Sequence, residues 1–266
     1  MKAVSTSRMI KLSVAIITFN EEKNLERCLR SVLRIADEIL IVDSFSTDGT
    51  VAIAESFGAR VIKHPFEGFV KQKNIASDAA QHDWVLSIDA DEVVSPELEQ
   101  SILSVKAKHE YDIYRLARLT NYCGKWIKHS GWYPDKKTRM FDRSKGMWTG
   151  DMIHEKWQPN HTAATIGELK GNLLHYSFYS ISDHVKKIEK YTEMSARAAV
   201  ERGKTYSLLK VLVVPKLNFF MNYVVRLGFL DGYYGFIVCS MTANESRIKY
   251  AKTRQYYQWK KAGKPY

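Results

Sequence analysis

The sequence predicts an α/β protein in which a mixed, mostly parallel sheet is covered by helices and is followed by a helical, basic C-terminal region. From residue 12 to about 117, short apolar runs rich in β-branched residues alternate with segments of helical periodicity, which is typical of parallel sheets. Charge separates the two parts: residues 181–266 contain 16 Lys and Arg against 6 Asp and Glu, and residues 1–180 contain 24 against 23. With 266 residues, 45% of them hydrophobic, the chain can bury a full core.

The N-terminal elements are a leader, a strand and a helix. Residues 1–11 are expected to form a flexible leader, because the apolar stretch after Lys11 is too short to span a membrane and lacks a signal-peptide cleavage region. Leu12–Thr18 is expected to be the first buried strand, and Asn20 is expected to cap the following helix. One apolar stripe at helical spacing defines that helix: Leu25, Cys28, Leu29, Val32 and Leu33.

Strands and helices continue in alternation after this first pair. The predicted order is strand Glu38–Asp43, helix Asp48–Phe57, strand Ala59–Lys63, helix Phe69–Ala80 and strand Trp84–Asp89. Gly58 is expected to stop the second helix, and Pro96 is expected to open a fourth helix at its first position. Residues 111–178 contain scattered Gly, Trp and Tyr, which indicates a mixed β region that extends the sheet.

The C-terminal region, residues 179–266, is predicted to be helical. Ser180 and Asp183 fit a capping box that opens a helix ending near Arg202. Residues 206–243 are strongly apolar but contain four charged residues, so no run reaches the ~18–20 apolar residues of a transmembrane helix; these residues are Lys210, Lys216, Arg226 and Asp231. Basic residues among aromatic ones fit a membrane interface, and a helical hairpin packed on the body or on a second subunit is the alternative.

The three cysteines, Cys28, Cys123 and Cys239, lie far apart in the sequence without a C-x-x-C pair. This spacing argues against a disulfide framework and a zinc site, and it fits a reducing compartment.

Polar clusters follow three of the predicted strands at the point where each strand ends. They are Thr18-Phe19-Asn20, Asp43 and Asp89-Ala90-Asp91. Ligands of parallel sheets bind at the carboxyl ends of the strands, so these clusters predict one site at that edge. Asp89 and Asp91 can converge on one hard cation, and Mg²⁺ or Mn²⁺ commonly bridges carboxylates to a diphosphate. An isolated D-x-D is a weak signal, but this one follows a buried strand and precedes a capped helix.

Four segments together resemble the family 2 glycosyltransferases in order and approximate spacing: TFNEEKNLERCLRSV, EILIVDSFSTDGT, QKN and WVLSIDADE. The resemblance covers about residues 12–180 and is closest to the bacterial lipopolysaccharide-core β-1,4-glucosyltransferase branch, which RMFDRS, GDMIHEKW and LLHYSF also support. It implies a GT-A (Rossmann-like) nucleotide-sugar-binding domain over residues 12–178. Residues 179–266 would then form a region that associates with a membrane or with another subunit.

The resemblance implies a set of donor-binding residues. Thr18, Asn20 and Glu22 match the motif beside the nucleoside, and Asp43 matches the acid that accepts a hydrogen bond from uracil. Capping of the next helix is the alternative role for Asp43. The branch usually has Gly at the position of Phe45, which leaves the local turn open.

The diphosphate side of the donor site is implied in the same way. Lys73 of QKN and Arg139 of RMF match positions near the diphosphate, where a lysine acts as a point charge and an arginine can bind bidentately. Asp89, Ala90 and Asp91 form the donor motif. A solvated helix lysine is the alternative reading of Lys73.

The catalytic base and the metal shell complete the implied site. The family match assigns Glu155 as the base of an inverting transfer, for which partial desolvation would bring its pKa toward the working pH; Asp151 is the alternative base. A divalent metal, Mg²⁺ or Mn²⁺, is expected on Asp91 and Asp89. His154 or His175 could complete its shell or contact phosphate, and a plain core or surface role is the alternative for each.

The expected reaction is metal-assisted single displacement that moves a hexose, glucose from UDP-glucose, onto an inner-core heptose of lipopolysaccharide. A polyprenyl phosphate or another glycan is the alternative acceptor. The enzyme is expected to be cytoplasmic and peripheral on the inner face of the bacterial cytoplasmic membrane, with homo-oligomerisation left open.

Two other functional classes fit the sequence less well. A dinucleotide-binding oxidoreductase would need G-x-G-x-x-G after the first strand, and TFNEEKNL has no glycine. The pI of 9.4 invites nucleic-acid binding, but no recognised motif accompanies it, so no nucleic-acid partner is expected.

Overall fold

The computed structural model describes residues 9–150, 155–161 and 163–266. Residues 1–8 of the expected leader lie outside this description. The chain divides into two compact units: unit 1 comprises Met1–Arg118 and Asp135–His175, and unit 2 comprises Leu119–Pro134 and Tyr176–Tyr266. The division of the sequence at residues 178 and 179 into a catalytic domain and a helical region stays a prediction.

The strands form a nine-stranded mixed sheet and a separate two-stranded ribbon. Along the large sheet the order is β3-β2-β1-β4-β8-β6-β11-β5, with β7 paired to β6, and β9 pairs with β10 in the ribbon. The strands are β1 (Leu12–Thr18), β2 (Glu38–Asp43), β3 (Arg60–Lys63), β4 (Trp84–Asp89), β5 (Glu92–Val94), β6 (Ile113–Tyr122), β7 (Lys125–Trp126), β8 (Asp135–Asp142), β9 (Gly146–Thr149), β10 (Lys156–Pro159) and β11 (Ile166–Phe178).

The register of the parallel strands brings the predicted polar clusters to one edge. In β1, Thr18 pairs with Asp43 of β2, and Ile17 pairs with Asp89 of β4. Beyond β4 the sheet turns antiparallel, since β8 pairs with β4 and with β6 in that sense. The mixed, mostly parallel arrangement predicted for the N-terminal part is confirmed, and the β region of residues 111–178 supplies its antiparallel strands.

Alternating side chains of β1 supply the two faces of the sheet with separate cores. Val14 and Ile16 belong to a core that includes Leu29 of the first helix, whereas Ala15 belongs to a core that includes Ala76 of the third helix. This alternation is the two-residue period of a strand. Because both faces are covered, the sheet is buried between helices as predicted.

The helices of unit 1 are α1 (Glu22–Val32), α2 (Thr50–Ser56), α3 (Phe69–Asp78) and α4 (Pro96–Ala107). The side chain of Ser95 caps α4 by accepting from the N–H of Leu98, with Pro96 in the first turn, and Gly58 follows α2 with a φ of 71°. The expectation that Asn20 caps α1 is wrong. The helix begins after Glu21, and Asn20 has a φ of 53° and accepts from the N–H of Thr47, so its side-chain oxygen is used by the β2–α2 loop.

Unit 2 contains α5 (Ile181–Glu201), α6 (Leu208–Phe220) and α7 (Gly232–Lys261), of which α5 and α6 each pack on α7. The predicted capping box of α5 is confirmed, since Ser180 accepts from the N–H of Asp183 and Asp183 accepts from the N–H of Ser180. Before α7, the buried Asp231 accepts from the backbone N–H groups of Lys128 and His129 at 3.2 and 2.8 Å. This carboxylate therefore fixes the entry to α7.

The expectation that no segment reaches the length and apolarity of a membrane span needs correction. Within the described residues one helical segment meets both conditions: Leu208–Val225. Its mean hydropathy is 1.4, and 17% of the segment is buried inside the protein. It consists of α6 and a continuous π-helical extension, Met221–Val225. Lys210 and Lys216 were expected to interrupt the apolar segment, but the mean hydropathy of the segment is 1.4 with both lysines included.

Candidate active site

The D-x-D motif occupies the short connection between β4 and β5, and its two carboxylates have different partners. Asp89 ends β4, Ala90 is buried, and Asp91 precedes β5. Asp89 ion-pairs with Lys73 and Arg139, whereas the Oδ2 of Asp91 lies 3.2 Å from Nε2 of His175. The two acids therefore do not act as an equivalent pair.

Asp89 is held ionised by two cations. Its Oδ1 lies 3.0 Å from Nζ of Lys73, and its Oδ2 accepts from Nη2 of Arg139 at 3.0 Å. Burial alone would raise the pKa of Asp89, but the positive charges of Lys73 and Arg139 hold that pKa well below its usual value. The carboxylate is thus negative at every working pH.

Glu92 is a site residue that the sequence argument missed. It is fully buried, its Oε1 accepts from Arg139 at 3.1 Å and from Arg118 at 3.3 Å, and its Oε2 accepts from the N–H of Asp89 at 2.9 Å. Arg118 also donates to Asp135 at 2.7 Å. A buried carboxylate requires such partners, and the third acid of DADE, directly followed by two valines of a strand, was the available signal.

Arg139 sits between the two acids with little exposure. Its side chain is 4% exposed, and its Nη2 donates to both Asp89 and Glu92. Burial opposes its charge, but Glu92 and Asp89 raise the pKa of its guanidinium above the usual value. Arg139 therefore lies beside the donor motif and is hydrogen-bonded to the last residue of β4 and to the first residue of β5.

Lys73 links the donor motif to the predicted base. Its Nζ donates to Oε1 of Glu155 at 3.1 Å while it pairs with Asp89, and its side chain is only 1% exposed. The side chains of Asp89 and Glu155 keep 26% and 22% of their surfaces exposed. The alternative reading of Lys73 as a solvated helix lysine is therefore wrong.

The neighbours of Lys73 in the QKN segment fasten α3 to the sheet and to the ribbon. Gln72, fully buried, donates to Oγ of Ser44 at 3.0 Å. Asn74 donates to the carbonyl of Trp148 and accepts from its N–H, each at 2.9 Å. Gln72 and Asn74, on either side of Lys73, thus hold the helix in the orientation that points Lys73 inward.

The nucleoside side of the predicted site forms a tight hydrogen-bonded loop. Asp43 is fully buried and its Oδ1 accepts from the hydroxyls of Thr18 and Ser46 at 2.8 and 2.5 Å. Its Oδ2 accepts from the N–H of Ser46 at 2.9 Å, so this oxygen retains capacity for one more donor. Ser46 thereby orients the predicted uracil acceptor.

Asn20 and Glu22 serve the same loop. The N–H of Asn20 donates to Oγ of Ser46 at 2.8 Å, and Oε2 of Glu22 accepts from the N–H of Gly49 at 2.8 Å. Phe45 has a φ of 60°, a left-handed conformation that glycine adopts most readily, so the turn expected for Gly is kept with Phe.

A metal site needs oxygen and nitrogen atoms that converge on one point. Oδ2 of Asp91 and Nε2 of His175 lie close together in this way, whereas both oxygens of Asp89 face cations. In the described part of the chain no group of three or more His, Cys, Asp and Glu forms a metal site. His154 and the alternative base Asp151 lie outside the described residues. A carboxylate and an imidazole, joined by diphosphate and water oxygens, make a set that a divalent cation accepts.

The model of the family described as glycosyl transferase family 2 matches residues 13–160 of the chain. An uncharacterized glycosyltransferase of Rickettsia typhi is 33% identical over 256 residues, which cover 93% of this chain and 88% of that protein. The lipopolysaccharide core biosynthesis glycosyltransferase LpsC of Rhizobium meliloti is 30% identical over 249 residues, which cover 88% of this chain and 91% of LpsC.

A solved structure also shares the fold. The mannosyltransferase PcManGT of Pyrobaculum calidifontis, in complex with GDP-Man and Mn²⁺, aligns over 93% of this chain and 88% of that chain with a TM-score of 0.55. At 13% identity this likeness concerns the fold alone, and it confirms the predicted fold class.

Substitution of Glu92 by Gln is expected to lower the free energy of unfolding by about 3 kcal/mol, because it removes the buried negative charge that Arg139 and Arg118 share. Urea unfolding measures the loss. Glu26→Gln is the matched control, since Glu26 forms an exposed pair with Arg30 and such pairs contribute less than about 1 kcal/mol. Equal effects of the two substitutions would contradict the central role of Glu92.

Proposed function

Because the chain belongs to glycosyl transferase family 2 and is a glycosyltransferase, we propose that it transfers a hexose from a UDP-sugar to an inner-core sugar of lipopolysaccharide. Glucose from UDP-glucose is the donor we propose, and heptose is the acceptor. The kinship with LpsC supports the choice of a lipopolysaccharide core acceptor.

The observation that carries this proposal is the ion-paired link between the donor motif and Glu155. One buried ammonium, Nζ of Lys73, lies 3.0 Å from Asp89 and 3.1 Å from Glu155, so the predicted base is held beside the predicted donor motif. A base must lie close to the acceptor hydroxyl when that hydroxyl attacks the donor carbon. A carboxylate held there on a partly exposed side chain suits this task.

The proposed reaction is a single displacement. Glu155 takes the proton from the acceptor hydroxyl, the oxygen forms a bond to C1 of the sugar, and the bond from C1 to the diphosphate oxygen breaks with its electrons leaving on UDP. Attack from the face opposite UDP inverts the configuration of C1, so an α-linked donor gives a β-linked product. Asp43, oriented by Thr18 and Ser46, accepts a hydrogen bond from the nucleobase.

Asp91 and His175 are the described residues that would hold a divalent cation, Mn²⁺ or Mg²⁺. A cation bound there would supply positive charge to the departing diphosphate. Their convergence supports this part of the proposal, and PcManGT was solved with Mn²⁺.

Two substitutions separate donor binding from chemistry. Asp91→Ala is expected to abolish the part of UDP affinity that depends on Mn²⁺, because it removes a metal ligand. Glu155→Gln is expected to preserve UDP affinity and lower kcat by about 10²–10⁴-fold, which is the usual contribution of a general base. Calorimetric titration of UDP with and without Mn²⁺ and turnover on truncated lipopolysaccharide measure the two effects.

Metal-dependent UDP affinity that survives in Asp91→Ala would contradict the metal assignment, and near-normal kcat in Glu155→Gln would move the base elsewhere. Turnover with a polyprenyl phosphate but with no lipopolysaccharide core would reject the proposed acceptor.

We further propose that the protein is cytoplasmic and lies peripherally on the inner face of the bacterial cytoplasmic membrane, and that α6 makes the contact. The surface of this helix that faces away from the rest of unit 2 is largely apolar. The buried residues of α6 are Val211 and Pro215, Asn218 donates to Ser246 of α7 at 3.0 Å, and Asn222 is buried in the π-helical extension. Its outer face, together with the π-helical extension, exposes Leu208, Leu209, Leu212, Val213, Leu217, Phe220, Met221, Val224 and Val225.

The charges around this outer face favour an anionic leaflet as its partner. At the start of α6, Nζ of Lys210 lies 4.5 Å from the ring centroid of Tyr206 and 5.3 Å from that of Tyr250. Such cationic and aromatic clusters sit at the level of lipid head groups. Lys216 lies within the outer face, where a long side chain can reach the head groups if the helix lies in the membrane plane.

A double substitution on the outer face, Leu212→Glu with Leu217→Glu, is expected to weaken binding to vesicles containing anionic phospholipid by more than about tenfold, because two exposed leucines that would insert among the lipids are lost. Sedimentation with vesicles measures this. Gln255→Glu with Gln258→Glu, two exposed positions of α7, is the control with the same change in charge. Unchanged vesicle binding would reject the proposal, and a dimer that dissociates in the leucine variant would identify a subunit interface instead.

A further inference from the structure

We propose that Lys73 is a positioning residue that holds Glu155 against the donor motif, and that it is not a ligand of the donor diphosphate. The inference rests on the proposed role of Glu155 as the base. It replaces the phosphate contact expected from the sequence with a contact inside the protein.

The surroundings of Nζ occupy the donor capacity of the lysine. An ammonium group has three hydrogens and accepts none. Nζ lies 3.0 Å from Oδ1 of Asp89, 3.1 Å from Oε1 of Glu155 and 4.9 Å from the centroid of the Trp148 ring. Two carboxylates and one aromatic ring of the described residues therefore surround a side chain that is 1% exposed, so a phosphate oxygen would have to displace one of them to reach Nζ.

Trp148 forms the third side of this enclosure and is fixed by the helix that carries Lys73. Asn74, the next residue of α3, exchanges two hydrogen bonds of 2.9 Å with the backbone of Trp148. The same ring lies 5.9 Å from the guanidinium carbon of Arg139, so one indole contacts both cations of the cluster. The helix, the indole and the ammonium group are thus one rigid support.

The charges explain why the base needs this support. Asp89 and Glu155 are both partly exposed acids within reach of one ammonium, and like charges so close together repel unless a cation lies between them. Without Lys73, Glu155 would move away from Asp89 and from the acceptor hydroxyl. Lys73 is already balanced by two carboxylates, whereas Arg139 keeps its Nε and Nη1 without a hydrogen-bond partner in the described part of the chain. The charge of the diphosphate could be met by these two groups or by a divalent cation at Asp91 and His175.

The substitution Lys73→Met distinguishes positioning from phosphate binding. Its kcat is expected to fall by about 10²-fold, as for a misplaced catalytic group, while the Kd of UDP changes by less than about threefold. Lys71→Met is the matched control, because Lys71 lies on the same helix, is exposed and pairs with Glu67 on the surface. A loss of UDP affinity of about tenfold or more in Lys73→Met alone would overturn the proposal, since a charged hydrogen bond to the ligand would then have been lost.

A second pair of variants decides the question if Lys73→Met does not fold. Trp148→Leu removes the aromatic face beside Nζ, whereas Trp148→Phe keeps one. The leucine variant is expected to lose kcat with unchanged UDP affinity, and the phenylalanine variant is expected to recover most of it. Equal kcat in the two variants would overturn the proposal. The proposed function fails separately, through absence of UDP binding or through normal kcat in Glu155→Gln.

Discussion

Two charge-paired carboxylates, the partly exposed Asp89 and the fully buried Glu92, impose the constraint on which the site depends. Removing a carboxylate from water is costly unless cations and hydrogen-bond donors replace the water. Here the replacement comes from Arg139 of β8, Lys73 of α3 and the backbone of β4 itself. Segments far apart in the chain must therefore be in place together before the charges of both acids are balanced, and the donor motif is rigid because of them.

Different ion-pair partners give different roles to residues that look alike in sequence. Asp89 has both oxygens paired with cations and cannot approach a metal on the same terms as Asp91, which faces His175. In the proposed site, Asp89 thus organises the surrounding cations, and Asp91 is the acid that would hold a divalent cation. Lys73 pairs with both Asp89 and Glu155, so the residue that would position the proposed base belongs to the same cluster as the donor motif.

Much of this could be predicted from local pattern, and the remainder depends on pairing across the fold. The apolar runs of β1, β2 and β4 and the polar residues after them follow from short-range periodicity, so the edge that carries Thr18, Asp43 and Asp89 was predictable. Asn20 was misread because its acceptor is used by a residue 27 positions away. Burial of Lys73 depends on Glu155, 82 positions distant, and no local pattern carries that information.

The configuration of the product tests the central claim most directly. With UDP-α-glucose as donor and truncated lipopolysaccharide as acceptor, the proton NMR spectrum of the isolated product reports the linkage formed at C1. Single displacement assisted by Glu155 predicts a β-linked sugar. An α-linked sugar would contradict the account, because it requires either a second displacement or attack from the face that UDP leaves.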